Sequence, residues 1–256
     1  MLFLWSHCKL LEKGDEEMDE VEGIITLPEG HRYAMFGGGD DYPIKTYYEG
    51  VFETVFVVFH PFLVPKDDPT AVDRYVEMDK NEVEQQFRAI TWADMRRRLG
   101  FDDIKRIDHA LRTMIGALKP HAEDQEGANR IIEFCDRENV LPPGEGELSD
   151  LLENQMLRAL LEMGEEWMWS GDEFCTERHL INIRETLTSD TWGMRHRTFF
   201  GHQHDWLIVP PWDSHFTVIC GSRAWVEQVV ERCELEGFYC DDDTTINWSL
   251  FHRKLR

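Results

Sequence analysis

No stretch of the chain approaches the roughly 18 consecutive apolar residues that a membrane-spanning helix requires. The longest apolar segment, Val55 to Val64, is interrupted by His60 and Pro61 and reads as a core strand. Basic residues are scarce: 27 Lys and Arg stand against 50 Asp and Glu, a formal charge of −23. That deficit argues against general nucleic-acid binding, because phosphate affinity comes from clustered Lys and Arg, and against anionic membrane surfaces for the same Coulombic reason. None of the six cysteines, Cys8, Cys135, Cys175, Cys220, Cys233 and Cys240, forms a C-x-x-C pair, which excludes zinc ribbons and thioredoxin motifs. The apolar start Met1 to Trp5 is too short for a signal-peptide core and has no basic residues ahead of it. The expectation is therefore a cytoplasmic protein with unpaired structural thiols.

What is present describes a folded chain. Of its 256 residues 42% are hydrophobic and 12% aromatic, enough apolar surface to offset the entropy of ordering. The negative charge is spread rather than gathered in a tail: residues 1–128 carry 15 basic and 26 acidic side chains, and residues 129–256 carry 12 and 24. We expect an acidic lead-in over 1–30, an α+β region over 31–141, and a helical hairpin with a C-terminal β-β-α-β-β unit over 147–256. Residues 31–256 forming a single domain is the alternative, with Leu141-Pro142-Pro143-Gly144-Glu145-Gly146 as the candidate linker.

Local signals place the elements. Val51 to Phe59 is β-branched and aromatic throughout and predicts a strand. Thr91 is placed to cap a helix over Trp92–Leu99 that Gly100 ends. Further helices are expected over 102–118, 128–136, 149–169 and 176–187. Trp206–Val209 and Phe216–Cys220 read as strands around a Pro210-Pro211-Trp212-Asp213 turn. Ser222 starts a helix with Gly237 as its C-cap, and Phe238–Cys240 and Thr245–Leu250 flank Asp241-Asp242-Asp243 as a hairpin. The fold class is α+β, a helical middle followed by this strand-rich end.

The run from Trp206 through Asp213-Ser214-His215-Phe216-Thr217 to Glu236-Gly237-Phe238-Tyr239-Cys240 and Asn247-Trp248-Ser249 resembles a bacterial domain-of-unknown-function family, the one numbered 2711. The resemblance covers about the last third of the chain. It implies a bacterial cytoplasmic protein and, since the family has no established activity, no catalytic residue.

The conspicuous chemistry is histidine density. His196, His202, His204 and His215 lie within twenty positions, beside Asp205 and Asp213. Imidazoles and carboxylates are the ligands of catalytic zinc and non-haem iron, so His202, His204, Asp205, Asp213 and His215 are the candidate metal ligands. If the two flanking strands form a direct hairpin, His204 lies at its open end and Asp213 and His215 at its turn, too far apart to share one ion. The simpler interpretation is that His215 and Asp213 organise the turn while His202 and His204 are solvated.

Other constellations are weaker. Glu162, Glu165, Glu166, Glu173, Glu177 and His179 lack the Glu-x-x-His motif that di-iron bundles need, and read as a solvated acidic face. Gly37-Gly38-Gly39 fits neither phosphate-binding spacing, and no G-x-S-x-G elbow occurs. Asp241, Asp242 and Asp243 lack the Gly and terminal Glu of an EF-hand; they are candidates for partner contact instead. No cofactor is expected, a divalent metal being the one candidate.

Two functions follow. The favoured one is an acidic binding protein that occludes a basic protein partner, in the manner of an immunity protein or inhibitor, since a charge of −23 on a well-cored chain steers and complements a positive surface. The alternative is a metal-dependent hydrolase using the His/Asp cluster of residues 196–215.

Overall fold

A computed structural model describes residues 42–172, 176–188 and 197–245. The expected Gly37–Gly39 loop, the acidic lead-in, Cys8, Cys175, Glu173, His196 and the second arm of the C-terminal hairpin lie outside these residues.

The chain is α+β, and among the described residues a seven-stranded, wholly antiparallel sheet forms its centre. In chain order the elements are α1 (Ile44–Tyr47), β1 (Thr54–Phe59), β2 (Phe62–Pro65), α2 (Ala71–Arg74), α3 (Lys80–Gln86), β3 (Phe87–Ile90), α4 (Trp92–Leu99), α5 (Lys105–Met114), α6 (Gln125–Glu138), α7 (Asp150–Glu162), β4 (Trp167–Asp172), β5 (Arg178–Asn182), α8 (Ile183–Thr188), β6 (Arg197–Gly201), β7 (Leu207–Val209), β8 (Phe216–Gly221), α9 (Arg223–Arg232) and β9 (Gly237–Tyr239). The sheet order is β5-β4-β6-β7-β8-β1-β9, and β2 and β3 form a separate pair. Among the described residues no helix is long and apolar enough to cross a membrane.

Both faces of the central strands are buried, which is why β1 and β8 read as continuous apolar runs rather than alternating ones. Val55, Val57 and Phe59 of β1, with Phe216, Val218 and Cys220 of β8, meet α1, α4, α5 and α6 on one side. Phe56 and Val58, with Ile208 and Ile219, meet α7 and α9 on the other. A smaller core joins β2, β3, α2 and α3 through Leu63, Ala71, Val83 and Phe87. It is tied to α7 and α8 by the buried Lys80, whose Nζ donates to Glu153 Oε1 at 2.6 Å and to the Thr186 carbonyl.

Helix α4 forms as its sequence prescribes. Thr91 Oγ1 accepts from Asp94 N, and Gly100 closes the last turn at φ +63°, where a side chain would be strained. A distant residue adds to the cap: the Glu236 carboxylate accepts from Trp92 N at 2.6 Å and Ala93 N at 2.8 Å.

Three local expectations differ from the structure. The helix expected to reach Trp169 stops at Glu162, because Gly164 adopts φ +91° and Met168 and Trp169 alternate across the faces of β4. The helix expected over 176–187 is strand β5 followed by α8, since Ile181 and Leu180 pair with Met168 and Trp169. Gly237 does not cap α9; it begins β9, where a Cβ would overlap the carbonyl oxygen of Val57 on the neighbouring strand.

Candidate functional site

Strand β7 runs directly into β8 as a hairpin, with Leu207 opposite Cys220 and Val209 opposite Val218. His202, His204 and Asp205 therefore sit in the β6–β7 turn at one end of β7, while Asp213 and His215 sit in the β7–β8 turn at the other. With strand residues spaced about 3.3 Å apart, the structure divides the five candidate ligands into two groups. Among the described residues no three His, Cys, Asp or Glu side chains are placed to hold a metal ion.

The β6–β7 turn is tight and open to solvent. His204 takes φ +61°, donates its backbone N–H to the Gly201 carbonyl at 2.8 Å, and rests its ring against Phe200. Gly201 has no room for a Cβ because Asp205 and Trp206 pack against it. The side chains of His202 and Asp205 are exposed. Behind them Trp206 stacks on Trp225 at 5.1 Å and donates Nε1–H to Glu165 Oε1 at 3.1 Å. Burial, and then the charge of Asp205, raises the pKa of Glu165.

The β7–β8 turn is built differently. It is cross-tied to the segment 141–147, which the sequence suggested as a linker. Leu141 exchanges both backbone hydrogen bonds with Leu63, and Gly146 N donates to the Ser214 carbonyl at 2.9 Å. Asp213, at φ +52°, donates its N–H to Glu145 Oε1 at 3.1 Å, and Ser214 Oγ donates to the Pro211 carbonyl. His215 Nδ1 faces two carbonyls, Pro143 O at 3.0 Å and Gly144 O at 3.2 Å. A nitrogen facing two acceptors carries the proton, so this imidazole is the Nδ1–H tautomer and Nε2 holds the lone pair. At the tip Trp212 is 60% exposed, with exposed Asp213 beside it. The prolines Pro142, Pro143, Pro210 and Pro211 restrict both segments, so an aromatic ring and two carboxylates are displayed on stiff backbone.

Beneath this tip lies a buried polar floor. His60 N donates to the His215 carbonyl at 3.1 Å, its carbonyl accepts from Trp92 Nε1 at 2.7 Å, and its Nε2 is 2.7 Å from Thr217 Oγ1. From α5, buried Asp108 and Arg112 contribute an i,i+4 ion pair at 3.1 Å, with the guanidinium over the Phe216 ring. Burial, and next the neighbouring His215, pulls the His60 pKa down to about 3; burial also lowers that of His215. His215 Nε2 and Arg112 Nη2 find no hydrogen-bond partner among the described residues, while the His60 ring also meets the Gly144 backbone.

Asp241, Asp242 and Asp243 form an exposed turn after β9. Asp241 Oδ1 accepts from Asp243 N and Thr244 Oγ1, and Asp242 pairs with Lys45 at 2.7 Å. Tyr239, on the adjacent strand, is exposed.

Sequence reasoning placed His215 and Asp213 at a turn but missed His60, Asp108, Arg112, Trp212 and Glu145 as parts of one locality. Two signals were available: an imidazole interrupting an apolar strand, and an Asp/Arg pair at i,i+4 spacing inside a helix whose Ile107 and Leu111 are fully buried. His60 reaches Thr217, 157 positions later, because β1 pairs with β8, and the Asp108–Arg112 pair arrives with α5, which packs on the face of the sheet that carries Phe216. Cys135, Cys220, Cys233 and Cys240 are unpaired, and burial pushes the Cys135 thiol up to about 12 and that of Cys233 to about 11.

The chain is 21% identical over 218 residues to the uncharacterized protein YwbB of Bacillus subtilis (strain 168), an alignment covering 82% of this chain and 96% of that protein. No solved structure matches it. The family model described as "Protein of unknown function (DUF2711)" matches residues 40–250, well beyond the C-terminal third in which the resemblance was legible. The chain thus belongs to the DUF2711 family.

Proposed function

We propose that this protein is an acidic, cytoplasmic binding protein that occludes a basic protein partner. The observation that carries this reading is the tip of the β7–β8 turn. There a Trp212 that is 60% exposed stands beside the carboxylates of Asp213 and Glu145 on two proline-restricted segments hydrogen-bonded to each other. Interface hot spots are rich in Trp, and a rigid ring loses little entropy on docking. Flanking carboxylates on a chain of charge −23 draw a cationic surface towards it and fix its orientation. Asp241, Asp242 and Asp243, next to exposed Tyr239, offer a second contact of the same kind.

The test is affinity capture from extract of the native host at low and high ionic strength, with wild type and Trp212→Ala compared side by side. We expect a basic protein retained at low salt, released at high salt, and reduced at least about tenfold on the variant. Retention of no basic protein even at low ionic strength sinks this reading.

The alternative, a metal-dependent hydrolase drawing on the His/Asp cluster of residues 196–215, takes support from Asp205 and His202 lying close enough to act on the Glu165 carboxylate. Elemental analysis of untagged protein decides it. The absence of a transition metal, together with unchanged stability on chelation, removes it.

A further inference from the structure

The two edges of the central sheet differ. Among the described residues β9 ends the sheet on one side, and the exposed carboxylates of Asp241, Asp242 and Asp243 follow it. Charges beside an edge deter pairing with another chain. Strand β5 ends the sheet on the other side, and its residues, Arg178-His179-Leu180-Ile181-Asn182, include no carboxylate. Pairing with β4 fixes where its backbone points. Asp172 N donates to the Glu177 carbonyl at 3.2 Å, and Ile183 N donates to the Glu166 carbonyl at 3.0 Å. Bonded pairs of an antiparallel ladder recur at every second residue, so His179 and Ile181 turn their N–H and C=O groups to β4. Arg178, Leu180 and Asn182 turn theirs to the open edge. The sheet face beside this edge is apolar. Trp169 lies opposite Leu180, Trp167 is two residues along on the same face, and Trp167 and Leu180 are 44% and 42% exposed. The reverse face, carrying Met168 and Ile181, is buried in the core formed with α7.

We propose that β5 is the contact through which two copies of this chain form a two-fold dimer, β5 pairing antiparallel with β5 of the second copy and Leu180 opposite Leu180. Leu180 is the middle residue of the strand, so this register overlaps its whole length. The outward groups of Leu180 then exchange both backbone hydrogen bonds across the axis. Charge is compatible with the pairing. Arg178 lies opposite the Asn182 amide rather than another cation, and past the strand end the exposed Glu177 of each copy lies beside the exposed Arg184 of the other. The two Trp167–Trp169–Leu180 patches join into one stripe, removing from water apolar surface that each copy exposes alone. Net charge works against the contact, since each copy carries −23, so added salt strengthens it. Capture of a basic partner responds to salt in the opposite sense, which keeps the two associations distinguishable.

Sedimentation velocity of the full chain across the micromolar range, at low and high salt, tests this together with amide hydrogen exchange. The expected result is a monomer–dimer equilibrium shifted to dimer by salt. Exchange at the Leu180 amide should slow as protein concentration rises, while the His179 and Ile181 amides, already bonded to β4, keep their rates. Leu180→Lys sets like charges face to face on the axis and should weaken dimerisation at least about tenfold. Leu180→Pro removes the outward N–H without breaking a bond to β4, a position where edge strands tolerate proline, and should also weaken it. Circular dichroism shows whether these variants fold, and the wild-type exchange pattern decides the matter if they do not. A wild type that stays monomeric under all these conditions, a dimer without slowed exchange at Leu180, or a dimer undiminished in folded variants overturns the proposal.

Discussion

The two turns that flank β7 draw on the same residue types, His and Asp, and place them in opposite environments. In the β6–β7 turn His202 and Asp205 face solvent, and their backbone is held by a short local turn. In the β7–β8 turn His215 is buried, locked in one tautomer by two carbonyls from residues about seventy positions earlier, and joined through its backbone carbonyl to a second buried histidine, His60. What separates them is what passes overhead. The segment 141–147 crosses the second turn and supplies the acceptors that make burying an imidazole tolerable. A buried polar group left without partners costs about 1–3 kcal/mol, so the crossing segment and the histidine stabilise each other.

Several experiments would break or sharpen this contrast, and the largest effect should come from the floor. Asp108→Ala leaves the Arg112 guanidinium buried without its partner and should cost about 3–5 kcal/mol in chemical denaturation. Acid comes next. His60 and His215 bind a proton less readily in the folded chain than in the unfolded one, so the unfolded chain takes up more protons as pH falls. Their contribution is complete above the ordinary histidine value of 6.5 and declines below it, for His60 until about 3. Urea midpoints measured across that window should fall as the pH is lowered, and His60→Phe should flatten the slope.

His215→Ala removes the donor that holds the crossing segment and should destabilise by about 2–3 kcal/mol, with faster amide exchange at Gly146. Trp212→Ala should leave stability within about 0.5 kcal/mol, as exposed substitutions do, while reducing partner retention at least about tenfold. His202→Ala and His204→Ala are expected to be the mildest, each within about 0.5 kcal/mol by the same denaturation assay. A loss there comparable to that of His215→Ala would erase the distinction between the two turns.

Much of the fold was legible because its signals are local. The Thr91 cap and Gly100 stop of α4, the Ser222 start of α9 and the apolar runs of β1 and β8 are each settled within a few residues. The misread stretch was 163–187, where the same residues satisfy a helical stripe and an alternating strand. Pairing of Met168 with Ile181 inside this stretch and with Gly201 beyond it decided between them, and no local pattern encodes either pairing. Gly237 shows the same limit: a glycine after a helix suggests a cap, but here it accommodates the close approach of the Val57 carbonyl.

For the candidate site, residue types and the warning that one hairpin divides them were readable, because strand spacing is a matter of arithmetic. The polar floor was not, because it depends on β1 lying between β8 and β9 and on α5 packing behind them. By itself the sequence determined an acidic chain with α+β elements, no spanning helix pattern, and charge distributed over folded segments. Tertiary structure alone decided which histidines are buried, which proton one of them carries, and which tryptophan stands exposed among carboxylates. Burial and hydrogen-bond partnership are properties of what arrives from elsewhere in the chain, and no local pattern encodes the arrival.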